Sequence, residues 1–209
     1  MKSNSLNFNE LYPFLLHFYK LKCTERSGWK MKLSIDNAES VADHTLGMII
    51  LTLIFAQYKN MSVSKTLRMI KMVLIHDLGE SIIGDHTPES IEIGEKKEIE
   101  DNAIRYIFSK LPNEKIKKGY LEIWKEFEDN RTDVSKKVHL IDKLEMAIQA
   151  KYYLDNYNRI SKRDVKPFFD SALRYIINNN KKKNIKDSDI VKEMEKLDEI
   201  EQILLYLNN

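Results

Sequence analysis

The chain has 209 residues, enough for a full hydrophobic core, and its 43% hydrophobic content argues against wholesale disorder. Its formal charge of +2 balances 34 basic against 32 acidic residues, which gives no general electrostatic case for binding nucleic acid. A single cysteine excludes an intrachain disulfide, and no apolar stretch is long enough to span a bilayer, so we expect a cytoplasmic protein without a membrane partner.

Apolar residues recur at three- and four-residue spacing almost throughout, and only 6 Gly and 4 Pro interrupt them. This pattern predicts an all-α fold, a compact single-domain helical bundle spanning residues 1–209 with a core from about 10 to 175. The helix predicted at 188–207 carries an apolar stripe that would pack on the core or form a dimer contact. Helices are predicted near 8–22, 40–59, 64–79, 95–110, 113–128, 133–157, 167–178 and 188–207, with breaks at Ser27-Gly28, Asn60–Ser62, Gly84–Pro88, Leu111-Pro112, Asn130–Asp133 and Asn178–Lys186.

The dipeptide His76–Asp77 lies in the predicted helix 64–79, among residues that are too apolar for a surface helix. A buried ionisable group is costly unless it is paired, hydrogen-bonded or bound to a metal. One interpretation is a hydrogen-bonded core histidine beside a capping or ion-pairing aspartate. The other is that both side chains bind a metal ion, and this interpretation depends on further ligands elsewhere in the chain.

Glu80 follows His76 by four residues, so both side chains would project from one face of a continuous helix on successive turns. Gly79 and Gly84 predict that the helix ends here and opens into a turn. Glu80 and Asp85 would then lie at the mouth of that turn, close to the dipeptide.

Two more predicted helices bring metal-ligand residue types into apolar surroundings. His44 lies at the start of helix 40–59, and Asp142 lies in the middle of helix 133–157. Two imidazoles and two carboxylates form a binding set for a divalent metal with open coordination positions, which a catalytic metal needs. We expect Mn²⁺, Co²⁺ or Fe²⁺ first, with Zn²⁺, Ni²⁺ or Mg²⁺ as alternatives, because affinity order alone does not name the ion.

The order His44, His76-Asp77 and Asp142 resembles the H…HD…D arrangement of the HD-domain metal-dependent phosphohydrolases. The sequence is more similar still to the 5′-deoxynucleotidase branch, which includes bacterial YfbR-like enzymes and eukaryotic HD-domain-containing 5′-nucleotidases. H…HD…D is shared by many HD subfamilies, whereas its combination with Arg-x-Gly-Trp and Glu-x4-Asp is more specific. The matching stretches are Arg26-Ser-Gly-Trp29, Glu39-Ser-Val-Ala-Asp-His44, Leu74-Ile-His-Asp-Leu-Gly-Glu80, Gly84-Asp85 with Pro88, and Lys143-Leu-Glu-Met-Ala-Ile-Gln-Ala150 after Asp142.

The resemblance implies a function and a role for each matched residue. The family removes phosphate from deoxyribonucleoside 5′-monophosphates, usually as a homodimer. By resemblance, Glu80 is the acid/base carboxylate, Asp85 a second active-site carboxylate, Arg26 the phosphate-binding residue and Trp29 a wall of the nucleoside pocket. The metal ligands implied are His44, His76, Asp77 and Asp142.

Two other functions are consistent with the same residues. The metal site could act on a nucleoside triphosphate or a phosphodiester, or the domain could be a catalytically silent helical module that binds nucleotides. Arg26 also has an interpretation as a solvated loop arginine, and Trp29 as a side chain that covers the edge of the core. His86, next to Asp85, is either an incidental loop histidine or an extra phosphate or metal contact.

Overall fold

The computed structural model describes the backbone of residues 7–85 and 93–180 and the side chains of residues 7–85 and 97–176. Every regular element in these ranges is an α-helix, which confirms the predicted all-α fold. Within them, β-type pairing is limited to one isolated antiparallel bridge between Glu25 and Ser40. The helices are α1 (Phe8–Leu21), α2 (Ser27–Leu33), α3 (Val41–Tyr58), α4 (Val63–Ile75), α5 (Glu80–Ile83), α6 (Ile93–Ser109), α7 (Glu114–Asp129), α8 (Asp133–Asn156) and α9 (Lys162–Asn180).

Most helix bounds agree with the sequence pattern. The predictions for α1, α3, α6, α7 and α8 are correct to within two residues at each end. α9 begins earlier than predicted because its first turn is capped: the backbone N–H of Ser161 donates to Asp164 Oδ2 at 2.9 Å, and its hydroxyl donates to the same oxygen at 2.6 Å. The predicted helix 188–207 lies outside the described residues.

Two predicted boundaries were wrong. The predicted break at Ser27-Gly28 is the start of α2, a helix of 7 residues. A helix this short is unstable alone, but Trp29 and Leu33, four residues apart, are both buried, so tertiary packing stabilises it. The predicted helix 64–79 ends at Ile75 and is followed by a turn rather than by another turn of helix.

The described residues fall into two compact units that divide between Ser135 and Lys136, inside α8. In the first unit, α4 packs against both α3 and α7. Four α4 side chains are fully or almost fully buried and form much of the core of this unit: Met69, Met72, Val73 and Ile75. The single-domain organisation stays a prediction.

α3 begins with a capping box that fixes where the helix starts. The Ser40 hydroxyl accepts the Asp43 N–H at 3.1 Å, and the Asp43 carboxylate accepts the Ser40 N–H at 2.9 Å. By length and composition α3 could cross a membrane, but core helices of soluble proteins pass the same test. Because α3 packs on α4 and buries His44 and Thr52, we interpret it as a core helix.

In the second unit, α8 and α9 contact each other. The Tyr175 hydroxyl donates to the carbonyl oxygen of Lys136 at 3.1 Å, and its ring lies 6.2 Å from that of His139. α9 buries one apolar stripe at helical spacing, as an amphipathic helix does: Val165, Phe169, Ala172 and Ile176. The buried apolar residues of α8 lie on several sides of the helix, which marks it as a central helix: Val138, Ile141, Ala147 and Ala150.

Candidate metal centre and active site

The chain tightens into a turn between α4 and α5. The Leu78 N–H donates to the Ile75 carbonyl at 3.2 Å and the Glu80 N–H to the Asp77 carbonyl at 3.0 Å, both three residues back instead of four. Leu78 is fully buried and anchors this turn. His76 and Asp77 therefore lie at the C-terminal end of α4, and Glu80 opens α5 instead of sharing a continuous helical face with His76 as predicted.

The backbone holds His76 in one orientation. Its Nδ1 is 2.7 Å from the carbonyl oxygen of Val73, and because a carbonyl only accepts hydrogen bonds, Nδ1 carries a proton. The other ring nitrogen, Nε2, is 3.0 Å from Asp77 Oδ2. The ring also meets Phe127 edge-on, with ring centroids 5.7 Å apart. Nε2 is therefore the atom that His76 presents to the site.

Three cationic or imidazole groups converge on one oxygen of Asp77. Oδ2 is 3.0 Å from His76 Nε2, 3.6 Å from Arg26 Nη1 and 3.8 Å from His44 Nε2. Burial by itself raises the pKa of the Asp77 carboxyl, but the charge and hydrogen bond of His76, with His44 and Arg26, hold that pKa well below its ordinary value. Asp77 is therefore a carboxylate at neutral pH, the form that binds metals.

His44 reaches the same place from the first turn of α3. Its side chain is fully buried, its ring centroid is 5.4 Å from that of His76, and ligand nitrogens of the two rings lie within 4.8 Å. The capping box of α3 sets this position, because it determines which residues occupy the first helical turn. The structure thus brings His44, His76 and Asp77 together from two helix ends.

Arg26 and Trp29 both reach Glu39, which the sequence did not single out as a site residue. The Trp29 indole N–H donates to Glu39 Oε1 at 2.8 Å, and Arg26 Nε is 3.9 Å from the same oxygen. Arg26 therefore lies between two carboxylates, Glu39 and Asp77. Glu39 begins one of the stretches that match the family, but nothing in the sequence assigned it a role of its own.

Asp85 is bound to the start of α2. The Ser27 backbone N–H donates to Asp85 Oδ2 at 2.6 Å, and the Ser27 hydroxyl lies 3.0 Å from Oδ2 and 2.8 Å from the Asp85 carbonyl oxygen. The sequence predicted neither this contact nor its partner. His86, the next residue, lies outside the described residues.

Asp142 lies on α8 in the second unit, with its side chain 16% exposed and the Lys143 ammonium 2.9 Å from Oδ2. Glu145, three residues on, is buried. The role of Asp142 as the fourth metal ligand stays a prediction.

The sequence family described as the HD domain matches residues 18–184, most of the chain. This chain belongs to the HD-domain family. A Dictyostelium discoideum protein named 5′-deoxynucleotidase HDDC2 is 35% identical over 160 residues, which cover 73% of this chain and 83% of that protein. The human protein of the same name is 32% identical over 163 residues, 78% of this chain and 76% of the relative. The predicted resemblance to the 5′-deoxynucleotidase branch is thereby confirmed.

A solved structure extends the likeness to the fold. A conserved hypothetical protein from Pyrococcus furiosus superposes with a TM-score of 0.66 at 27% identity, over 91% of this chain and 99% of that one. The likeness in fold to that protein thus covers nearly all of the chain.

The HD-domain family implies a divalent metal ion, and the donors of the first unit fit one. The Val73 carbonyl leaves His76 Nε2 as the ligating nitrogen, and a backbone partner of this kind is the usual means of orienting a metal-bound histidine. His44 Nε2 and Asp77 Oδ2 lie 3.8 Å apart, with the His44 side chain fully buried and that of Asp77 partly buried. A cation or a proton between these electron-rich atoms relieves their mutual repulsion, and two imidazoles with a carboxylate match a borderline divalent metal.

Proposed function

We propose that this HD-domain chain is a metal-dependent phosphatase that hydrolyses deoxyribonucleoside and ribonucleoside 5′-monophosphates to nucleoside and phosphate. The observation that carries the proposal is the convergence of His44, His76 and Arg26 on one oxygen of Asp77. This arrangement combines a ligand set for a cation with a guanidinium a few ångströms away. The names of the curated relatives, 5′-deoxynucleotidases, support the choice of substrate class.

The proposed metal ligands are His44, His76 and Asp77, with Asp142 of the second unit as the fourth. When bound, a divalent ion supplies Lewis-acid charge at the phosphoryl oxygens and lowers the pKa of a water molecule. The low pKa of Asp77 keeps this ligand ionised and ready to bind the ion at neutral pH. We propose Mn²⁺, Co²⁺ or Fe²⁺ as the ion, with Zn²⁺, Ni²⁺ or Mg²⁺ as alternatives.

Arg26 is the proposed phosphate-binding residue. Its planar guanidinium can donate to two phosphate oxygens at once, which the point charge of lysine cannot do. Glu39 and Asp77 flank it, at 3.9 and 3.6 Å, so its side chain is already oriented towards the metal ligands before substrate arrives. Less conformational freedom is then lost when phosphate binds.

Glu80 is the proposed acid/base carboxylate. The tight turn places it three residues beyond Asp77, with its backbone N–H bound to the Asp77 carbonyl. A carboxylate on the segment that directly follows two of the proposed metal ligands can take a proton from water or return one to the leaving oxygen. Trp29, whose indole N–H is bound to Glu39, is the proposed wall of the nucleoside pocket.

We further propose that the protein is a cytoplasmic homodimer that binds neither nucleic acid nor membranes. α3 supports the homodimer because it exposes an uncharged aliphatic face at helical spacing: Leu46, Ile50, Leu53 and Ile54. Each of these side chains is about half exposed, and a contiguous apolar patch of this kind favours an interface with another protein chain. The intermixed charges and the single cysteine support the remaining parts of the proposal.

Phosphate release by purified, metal-loaded protein tests the function. We expect activity with Mn²⁺ or Co²⁺ on deoxynucleoside monophosphates, its loss on chelation, and its loss in Asp77→Asn, which keeps the side-chain shape but removes the charged ligand. The matched control is Asp36→Asn, because Asp36 is an exposed aspartate. Activity that survives both chelation and Asp77→Asn contradicts the proposal.

The same assay separates the competing functions if the substrate panel includes nucleoside triphosphates and a phosphodiester. Release of triphosphate, or cleavage of the diester in preference to monophosphates, would replace the proposed substrate but retain the metal site. A protein that binds nucleotides tightly and turns over none of the panel would be a regulatory module.

A further inference from the structure

We propose that Asp85 is a positioning residue: it caps α2 from another part of the chain and so holds the phosphate-binding Arg26 in place, instead of exchanging protons with the substrate. The proposal rests on the proposed function, because it concerns how Arg26 is held. It assigns Asp85 a different role from the one that the family resemblance implies. Its basis is the set of contacts between Asp85 and Ser27.

α2 has no cap of its own. Its N-cap residue is Arg26, whose side chain makes no capping hydrogen bond, so the first N–H groups of the helix need partners from elsewhere. Asp85, 58 positions away in sequence, supplies one: its Oδ2 accepts the Ser27 N–H at 2.6 Å. A carboxylate at a helix N-terminus is also favoured by the helix dipole.

The Ser27 hydroxyl makes a second contact between Ser27 and Asp85. It lies 3.0 Å from Asp85 Oδ2 and 2.8 Å from the Asp85 carbonyl oxygen. The backbone and the side chain of Asp85 are therefore both tied to one residue of α2. The single hydroxyl proton can be donated to either oxygen, whereas the Ser27 N–H is donated to Oδ2 alone, so Oδ2 has a structural task that competes with proton transfer to substrate.

The residues just before α2 are bound to a second part of the chain, residues 39–41, independently of Asp85. The Arg26 N–H donates to the Glu39 carbonyl at 3.0 Å, and the Val41 N–H donates to the Thr24 carbonyl at 2.8 Å, on either side of the isolated bridge. Asp85 thus adds a polar attachment at the start of α2, beside the burial of Trp29 and Leu33, and the Arg26 side chain extends towards Asp77. Without Asp85 we expect the start of α2 to lose this attachment, with Arg26 less well oriented.

Ser27→Pro tests this connection without touching Asp85. Ser27 is the first residue of α2, where proline is well tolerated, and Arg26 before it has the extended backbone (φ −73°, ψ 98°) that a residue preceding proline requires. The substitution removes both donors to Asp85, the N–H and the hydroxyl. The matched control is Glu114→Pro at the first position of α7, also preceded by an extended residue.

We expect Ser27→Pro and Asp85→Ala to raise KM for a deoxynucleoside monophosphate by about 10-fold or more, with kcat within roughly 3-fold of wild type. Asp85→Asn should have a smaller effect, because its amide oxygen still accepts the Ser27 N–H. The double variant Ser27→Pro/Asp85→Ala should be no worse than either single variant, because both remove the same interaction. Glu114→Pro should leave KM and kcat unchanged.

The opposite pattern overturns the proposal. If Asp85→Asn loses kcat by about 100-fold or more while Ser27→Pro does not, Asp85 is catalytic. If Ser27→Pro leaves KM unchanged, or if the effects of the two single variants multiply, the contact does not hold Arg26. Ser27→Ala, which removes only the hydroxyl, and Asp85→Asn carry the test if Asp85→Ala fails to fold.

Calorimetry with inorganic phosphate separates this proposal from the proposed function. If the wild-type protein hydrolyses no nucleotide, the proposed function fails. The affinity of the Mn²⁺-loaded protein for phosphate still compares wild type with Ser27→Pro. Weaker phosphate binding in the variant supports the role of Asp85, and equal binding contradicts it.

Discussion

Gly79 and Gly84 lie directly before and after α5, the short helix that begins with Glu80. Alanine substitutions at these two positions should have opposite effects on the stability of the fold. Gly79 has an ordinary helical backbone, with φ −57° and ψ −32°. A Cβ there would lie 3.6 Å from Ile104 Cγ1 and 3.7 Å from both Ala103 Cβ and the Glu100 carbonyl oxygen, all normal van der Waals distances. Gly79→Ala should therefore fit without moving α6 and stabilise the fold by about 0.4–1 kcal/mol, because alanine restricts the unfolded chain.

Gly84 has space for a side chain but the wrong backbone for one. Nothing lies within 4 Å of a Cβ built there, yet φ is +80° and ψ 169°, a region that is essentially open to glycine only. Gly84→Ala should cost roughly 1–3 kcal/mol. The cost arises from backbone strain alone, which makes Gly84→Ala a clean counterpart to Gly79→Ala.

Chemical and thermal denaturation at fixed metal concentration measure both effects. For a domain of this size, 1 kcal/mol shifts Tm by roughly 2–4 °C, so Gly79→Ala should raise Tm by about 1–4 °C and Gly84→Ala lower it by roughly 2–12 °C. Equal denaturant slopes would show that only stability changed. A loss of more than about 1 kcal/mol in Gly79→Ala would refute the described spacing of α5 and α6, and an unchanged Gly84→Ala would refute the positive φ.

Three further predictions concern the site and its surroundings. Saturating Mn²⁺, at about 100 times Kd, should stabilise the protein by about 2.7 kcal/mol, and Asp77→Asn should remove that shift in Tm. Arg26→Lys should raise KM by roughly 10-fold or more, because lysine keeps the charge but loses the bidentate geometry. Burial, with the charges of Lys20 and Lys110, lowers the pKa of His17, so the unfolded chain binds that proton more tightly than the folded protein does. Stability should therefore fall as pH drops below about 6.5, by at most ~1.4 kcal/mol per pH unit. His17→Gln should flatten this slope in denaturation curves between pH 5 and 7.5.

Controls distinguish these effects from general damage. His139→Gln changes a histidine of the second unit that meets Tyr175, and it should leave the Mn²⁺-dependent shift in Tm intact. A full Mn²⁺ shift in Asp77→Asn, an unchanged KM in Arg26→Lys, or equal pH slopes for wild type and His17→Gln would each contradict the corresponding prediction.

Helical content and most helix bounds followed from local sequence alone. Apolar spacing and capping residues act within a few positions of each other, so Ser40 and Asp43 mark the start of α3 in sequence as they do in space. The ionisable pair His76–Asp77 in an apolar segment was visible for the same reason, and the family resemblance that it led to is confirmed. α2 was missed because a helix of 7 residues depends on the burial of Trp29 and Leu33 rather than on its own periodicity.

What the tertiary structure alone decided is which side chains meet over long separations. The spacing of residues along the chain carries no information that Asp85 binds Ser27, 58 positions earlier, or that the Trp29 indole donates to Glu39. The sequence determined that His44, His76 and Asp77 are unusual in their segments, because burying an ionisable group costs free energy wherever it occurs. The approach of both imidazoles, His44 and His76, to one oxygen of Asp77 required the packing of α3 on α4. A contact between two helix ends depends on how the helices lie against each other and not on either helix alone.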